Sequence, residues 1–250
     1  RGIFDDSELD ILRNEFNHAV TRHEKEIGSF NGETSHTFSA MGEDTPFYSS
    51  LLEDRRFYGP ASQLFGEDVF GLEVNCYRYI GNTSWHYNDG SPEIQMPDGR
   101  TSSRYAYGPK YQFPVFKSVT AETGALRVIP GSHRDPWQSD LAEWWPLDRD
   151  SARDDNGMGY LDKIPCHVAE CEPGDAVLFD MRIMHATSGG DVDRKVTAVT
   201  YYNYPEAPLE LEAMRMVAPS FYKNPKRWNK TQWEEWFSNP HSSPLRQRMI

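Results

Sequence analysis

The 250-residue chain reads as mainly β with helical buttresses, an antiparallel sheet architecture, on three observations. Short runs of β-branched and aromatic residues recur between turn residues from about position 69 to 202, and segments of helical period lie mostly at the two ends. A content of 38% apolar and 13% aromatic residues is enough to bury the core of one large domain spanning 1–250.

The elements follow in order. Asp5, Asp6 and Ser7 form an N-cap cluster, and Leu9, Leu12, Phe16 and Val20 recur at three- and four-residue steps, so a helix should run to about Ile27 and stop at Gly28. A polar, turn-rich stretch follows. A second helical piece is expected from Phe47 through Leu51 and Leu52, ending before Gly59-Pro60, and a short third one over Ala61 to Phe65. Val69 to Ile80 has the alternation of a strand, with Thr83 to Gly90 directly after a Gly81-Asn82 turn. Six glycines and prolines make 88–110 a loop or lid. Strands are expected over Phe113 to Val119, Ala125 to Ile129, His167 to Glu170, Ala176 to Phe179 and Lys195 to Tyr202. Residues 135–160 read as an insertion with a helical piece near Leu141 to Trp145, and the tail mixes prolines with short helices around Trp233 to Phe237.

Charge narrows the partners. A formal net charge of −12 argues against nucleic acid and against an anionic membrane, both of which want clustered Lys and Arg. No apolar run approaches the roughly 18 residues of a spanning helix, and no signal pattern opens the chain, so a cytoplasmic protein is expected. Cys76, Cys166 and Cys171 lack zinc-site spacing and are odd in number, which disfavours a disulfide framework.

One stretch, Thr83-Ser84-Trp85-His86-Tyr87-Asn88-Asp89-Gly90, places a histidine at a strand end with two candidate oxygen ligands, Asn88 and Asp89, after it. His185 lies about a hundred residues on. Two histidines and one oxygen ligand on one face would hold a ferrous ion and leave positions open for chemistry.

The run Gly124-Ala125-Leu126-Arg127-Val128-Ile129-Pro130-Gly131-Ser132-His133 resembles the phytanoyl-CoA dioxygenase family of iron(II) and 2-oxoglutarate-dependent oxygenases. Trp85-His86, then Gly174-Asp175-Ala176-Val177-Leu178-Phe179 before His185, then Arg194 nine residues later, keep that family's order. Trp233, Asn239-Pro240 and Arg246 to Arg248 look like the endings of bacterial members. Arg1 to Phe4 looks like the end of the family's first strand, with residues expected before it.

The resemblance implies a double-stranded β-helix, a cupin-like jelly roll whose mouth holds Fe(II). It implies consumption of 2-oxoglutarate and dioxygen, with hydroxylation of an unactivated C–H bond in a small-molecule substrate. It also implies His86 and His185 as metal ligands, Arg194 as the partner of the distal carboxylate of 2-oxoglutarate, and Thr187 as its helper.

The third ligand stays open between two neighbours. A histidine and a ligand two residues on share a strand face, which gives Asn88 the position; the carboxylate belongs to Asp89, which a bulge could re-aim. Three readings follow from this: a working hydroxylase, a relative of the halogenases with a coordination position open for an anion, or a binding protein that kept the barrel and lost catalysis. Strand alternation lets one of Arg194 and Lys195 face the interior, a guanidinium can fork onto a carboxylate as a lysine cannot, and the resemblance favours Arg194. Gly131, Ser132 and His133 read as a structural turn. Tyr87, Arg104, Lys117 and Arg127 are the candidate substrate contacts, and the last three suggest a polar or anionic metabolite.

Overall fold

A computed structural model describes residues 1–33, 35–87, 96–99, 105–137, 140–141, 165–190 and 192–222. Among the described residues nine strands form two antiparallel sheets. The larger has the order β1-β2-β9-β4-β7 and the smaller β3-β8-β5-β6, with β1 His36–Ser39, β2 Phe70–Ile80, β3 Thr83–His86, β4 Pro109–Pro114, β5 Leu126–Val128, β6 His167–Ala169, β7 Val177–Asp180, β8 His185–Thr187 and β9 Val192–Tyr202.

The N-terminal helix α1, Asp6–Ile27, begins where the sequence places it. Asp5 accepts from the Glu8 backbone while the Glu8 side chain returns to Asp5, and Gly28 ends the helix at φ 94°. Its apolar stripe is buried, with Leu12 and Phe16 fully so. A short helix α2, Pro46–Ser50, and a single 3₁₀ turn, Leu51–Glu53, lead to α3, Arg55–Phe65. The sequence suggests that Gly59-Pro60 separates two helical pieces; instead both residues lie inside α3. Asp54 caps the helix through the Arg56 amide, and a glycine before the proline has no Cβ for the pyrrolidine ring to strike.

Two other boundaries move. The second expected strand begins at Pro109 and ends at Pro114, because a proline is tolerated as the first residue of a strand. His185 does not end the strand opened by Gly174-Asp175. That strand, β7, stops at Asp180 in the large sheet, and His185 starts β8 in the small one. Of the expected helical pieces, Trp233 to Phe237 lies outside the described residues, as does most of the insertion with Trp144 and Trp145.

The alternation of β2, β4 and β9 divides the large sheet into two faces. Val74, Cys76, Tyr111, Phe113, Val199 and Tyr201 pack against the helices with Leu12, Phe16, Leu51 and Phe57. The opposite face sends Tyr77, Val196 and Ala198 into the barrel, where they meet Val119, Ala125 and Cys171. No described helix is long and apolar enough to cross a membrane.

At the C-terminal half of α1, His23 is 7% exposed, stacks on Phe38 at 4.9 Å and meets His36 edge-on at 5.2 Å. Burial first, then His36 and Arg22, push its pKa down to about 4 against the opposing pull of Glu24. A histidine depressed from 6.5 contributes its full stability above that pH and loses it as pH falls towards 4. Thermal melts should therefore drop between these limits, by up to roughly 3 kcal/mol in stability, and His23→Phe should flatten the profile. An unchanged slope in the variant would exclude His23 as the cause.

Candidate active site

Two β-bulges aim the side chains that matter. In β3, Thr83 pairs with Thr187 and His86 with His185, so three steps on one strand oppose two on the other. Without the extra residue, Thr83 and His86 would point to opposite faces; with it, both line one cavity. In β9, Arg194 pairs with Tyr79 and Val192 with Ile80, which leaves Asp193 as the extra residue, at φ 64°. Its carboxylate accepts from Arg78 Nε at 2.6 Å and lies 3.3 Å from Lys195 Nζ.

The rings of His86 and His185 are 4.2 Å apart. His185 is 3% exposed and its Nδ1 lies 2.7 Å from the Ile183 carbonyl, to which it donates, leaving the Nε2 lone pair for a ligand. Burial, and then His86, hold its pKa well below the usual value, so the ring is in the neutral form that coordinates metal. Two adjacent imidazoles fit a first-row divalent ion such as Fe(II). Asn88 and Asp89, the candidates for the third ligand, lie outside the described residues, and among those described no group of three or more His, Cys, Asp or Glu could hold a metal.

Arg194 is 7% exposed and makes two hydrogen bonds, from Nη1 to the Gly124 carbonyl at 2.7 Å and from Nη2 to Thr187 Oγ1 at 2.9 Å. The face of Tyr79 lies 4.9 Å from its Cζ. Among the described residues its Nε has no partner and the side chain has no carboxylate partner. Thr187 also takes the Thr83 amide at 3.1 Å and contacts the Thr83 hydroxyl. His185 and Thr187, two apart on β8, share a face, so the Thr187 hydroxyl that holds the guanidinium is carried about 7 Å along the strand from His185.

The glycine-to-histidine run holds these groups in place. At Gly124, φ is +93° and an added Cβ would lie 2.0 Å from Arg194 Nη1, so only glycine fits. Ser132 Oγ accepts from the Met184 amide at 2.8 Å, and the Ile129 amide donates to the Met184 carbonyl at 3.0 Å, fixing the chain as it enters β8. His133 accepts from Arg134 at 3.2 Å.

The family described as phytanoyl-CoA dioxygenase (PhyH) matches residues 1–196. The chain belongs to the phytanoyl-CoA dioxygenase family. Among solved structures, HygX from Streptomyces hygroscopicus with nickel and 2-oxoglutarate bound is 18% identical, with 80% of each chain covered and a TM-score of 0.57. The non-heme alpha ketoglutarate dependent epimerase SnoN from nogalamycin biosynthesis is 16% identical over 80% of this chain and 74% of its own, with a TM-score of 0.53. EctD from S. alaskensis in its apoform is 20% identical over 83% and 74%, with a TM-score of 0.54. At such identities the likeness is one of fold, and the fold is the double-stranded β-helix. Curated proteins gave no match.

In this family member the expected substrate contacts divide. Lys117 is exposed in the turn after β4, outside the histidine cavity, because the strand has already ended at Pro114. Arg127 sits between Leu126 and Val128 on β5; Leu126 lines the cavity, so alternation turns Arg127 to the other face, where Nη2 reaches the Ala121 carbonyl at 3.2 Å. Tyr87 packs on the outer face of the small sheet with Trp85, Ile129 and Trp137; burial pushes its phenol pKa up, and among the described residues its hydroxyl has no hydrogen-bond partner. Arg104 lies outside the described residues. Sequence reasoning missed Lys110 and Gln112 of β4, which line the cavity of about 30 Å³ with His86, His185, Tyr79 and Phe179. Their signal was present in the alternation Lys110-Tyr111-Gln112-Phe113, hidden by counting Pro109 and Lys110 as loop.

The fit of Gly124 to Arg194 predicts a coupled cost. Gly124→Ala should destabilise the fold by about 2–4 kcal/mol in urea unfolding, and by clearly less in an Arg194→Ala background, where the clashing side chain is gone. Equal costs in both backgrounds would mean that the clash is not with Arg194.

Proposed function

We propose that this chain is an iron(II)- and 2-oxoglutarate-dependent dioxygenase that hydroxylates an unactivated C–H bond of a small polar or anionic metabolite. The observation that carries the reading is Arg194, a buried cation with no carboxylate partner among the described residues, hydrogen-bonded to Thr187, which is two strand positions from His185. A buried charge is stable only when paired. The missing anion is the far carboxylate of 2-oxoglutarate, and a five-carbon diacid laid along β8 matches the span between Arg194 and the histidines.

His86 and His185 would hold the iron, with Asp89 or Asn88 as the oxygen ligand. The bound metal, 2-oxoglutarate and dioxygen together supply the oxidising power, with succinate and carbon dioxide released as one oxygen atom enters the substrate. The chain's own residues do the positioning. Arg194 forks onto the distal carboxylate, and Thr187, accepting from Arg194 and from the Thr83 amide and in contact with the Thr83 hydroxyl, fixes where the guanidinium lies. The Ile183 carbonyl fixes the tautomer of His185. Lys110 on the cavity wall adds positive charge near the histidines, which favours a substrate bearing an anionic or strongly polar group. Tyr79 and Phe179 narrow the chamber and limit the water that shares it.

Incubation with ferrous iron, 2-oxoglutarate and a panel of polar and anionic metabolites should yield succinate. His86→Ala and His185→Ala should each lower both retained iron and turnover, by roughly a hundredfold. If the wild-type chain formed no succinate and kept no iron after anaerobic loading, the enzyme reading would fail in favour of a binding protein.

A further inference from the structure

Among the described residues Asp193 is the one non-glycine at positive φ, 64°, and it directly precedes Arg194 in β9. It is also the extra residue of the bulge between the Tyr79–Arg194 and Ile80–Val192 pairs. Aspartate enters the left-handed region more readily than most side chains, yet such a conformation persists only where the surroundings hold it. The backbone at 193 sets the direction in which the chain enters the regular ladder of β9, and so where the Cα of Arg194 stands.

Arg78 is the residue that holds it. From β2 its Nε donates to Asp193 Oδ1 at 2.6 Å, while its Nη1 donates to Glu24 Oε1 of α1 at 2.9 Å. Its Cζ lies 3.9 Å from the centroid of the Phe30 ring. The side chain is 14% exposed, so solvent screens these pairs less than it would a surface ion pair. A planar guanidinium fixed by two carboxylates and a ring has one orientation to offer. Lys195 Nζ, 3.3 Å from the other Asp193 oxygen, is a single charge on a flexible stem and adds to the grip without directing it. Behind Arg78 stands α1, anchored by the fully buried Leu12 and Phe16, so the bulge is braced from outside the sheet.

Neither Arg78, Glu24 nor Asp193 lines the histidine cavity. Their effect on it passes through Arg194, whose bonds to the Gly124 carbonyl and to Thr187 require the side chain to leave the strand at one place. Recognition of a carboxylate by a forked guanidinium is sensitive to a small displacement of that kind.

We propose that Arg78 is a positioning residue for cosubstrate recognition: by clamping Asp193 at positive φ it fixes the entry of β9 and thereby aims Arg194 at the far carboxylate of 2-oxoglutarate. This rests on the oxygenase reading above and adds to it a residue outside the cavity.

Glycine takes up a positive φ without a clamp and alanine does not, which separates the backbone from the ion pair. Affinities of the iron-loaded chain for 2-oxoglutarate and for 2-oxobutyrate, which lacks the far carboxylate, are measured under argon by titration calorimetry. Arg78→Ala and Asp193→Ala should each reduce the preference for 2-oxoglutarate by about fivefold or more and leave 2-oxobutyrate binding unchanged, within the range over which residues away from a ligand modulate its affinity. Asp193→Gly, which removes the same carboxylate as Asp193→Ala, should keep the preference, and Arg78→Ala/Asp193→Gly should recover it. In succinate formation KM for 2-oxoglutarate should follow the preference, with kcat at saturation unchanged. Thermal midpoints establish which variants are folded, and if Arg78→Ala is not, the contrast between Asp193→Ala and Asp193→Gly decides. A wild-type preference that persisted in both alanine variants, or that was lost equally in Asp193→Gly and Asp193→Ala, would overturn the proposal and leave the oxygenase reading standing. No preference in the wild-type chain would overturn that reading and this proposal with it.

Discussion

The site is built around a buried guanidinium that its described surroundings leave half satisfied. Arg194 uses two of its N–H groups, on Gly124 and Thr187, and rests on the face of Tyr79, while its Nε has no partner. Burial lowers its pKa, and an uncompensated buried ion costs several kcal/mol. The fold accepts that cost and supports it from several sides. A left-handed Asp193 turns the strand, a glycine at 124 clears the space, and Thr187 anchors one nitrogen. Such arrangements make sense when the compensating charge arrives from outside, as a ligand.

The histidine pair depends on the same small sheet. β8 is three residues long, yet it carries His185 and Thr187 on one face and Ala186 on the other. A strand so short has little register strength of its own. Its position is set by Ser132 and Ile129 at the entry, by β5 on one side and by the bulged β3 on the other. The motif that marks the family thus acts at second hand: Gly124 makes room for Arg194 and Ser132 aligns His185, while neither touches the histidine cavity.

What could be read from the sequence follows from how local each signal is. The first helix declares itself through a capping box, a period and a terminal glycine, all within 28 residues, and it forms as expected. The pairing of His86 with His185 came from a resemblance, since no local pattern brings together residues a hundred positions apart. Pro109 reads as a breaker in the sequence but starts β4, so the strand lies four residues earlier than its pattern suggests, and Lys110 rather than Lys117 is the lysine on the cavity wall. Bulges left no mark in the hydrophobic pattern. They insert single residues, and one in β3 and one in β9 decide which way His86 and Arg194 face.

The central claim is that Arg194 recognises the far carboxylate of 2-oxoglutarate. Its most direct test is the affinity of the iron-loaded chain, under argon, for 2-oxoglutarate and for 2-oxobutyrate, which lacks that carboxylate, in wild type and in Arg194→Gln. The account predicts that wild type prefers 2-oxoglutarate by about tenfold or more, the worth of a charge-assisted pair, and that the variant binds both alike while keeping its affinity for 2-oxobutyrate. A preference that survived the substitution would contradict it.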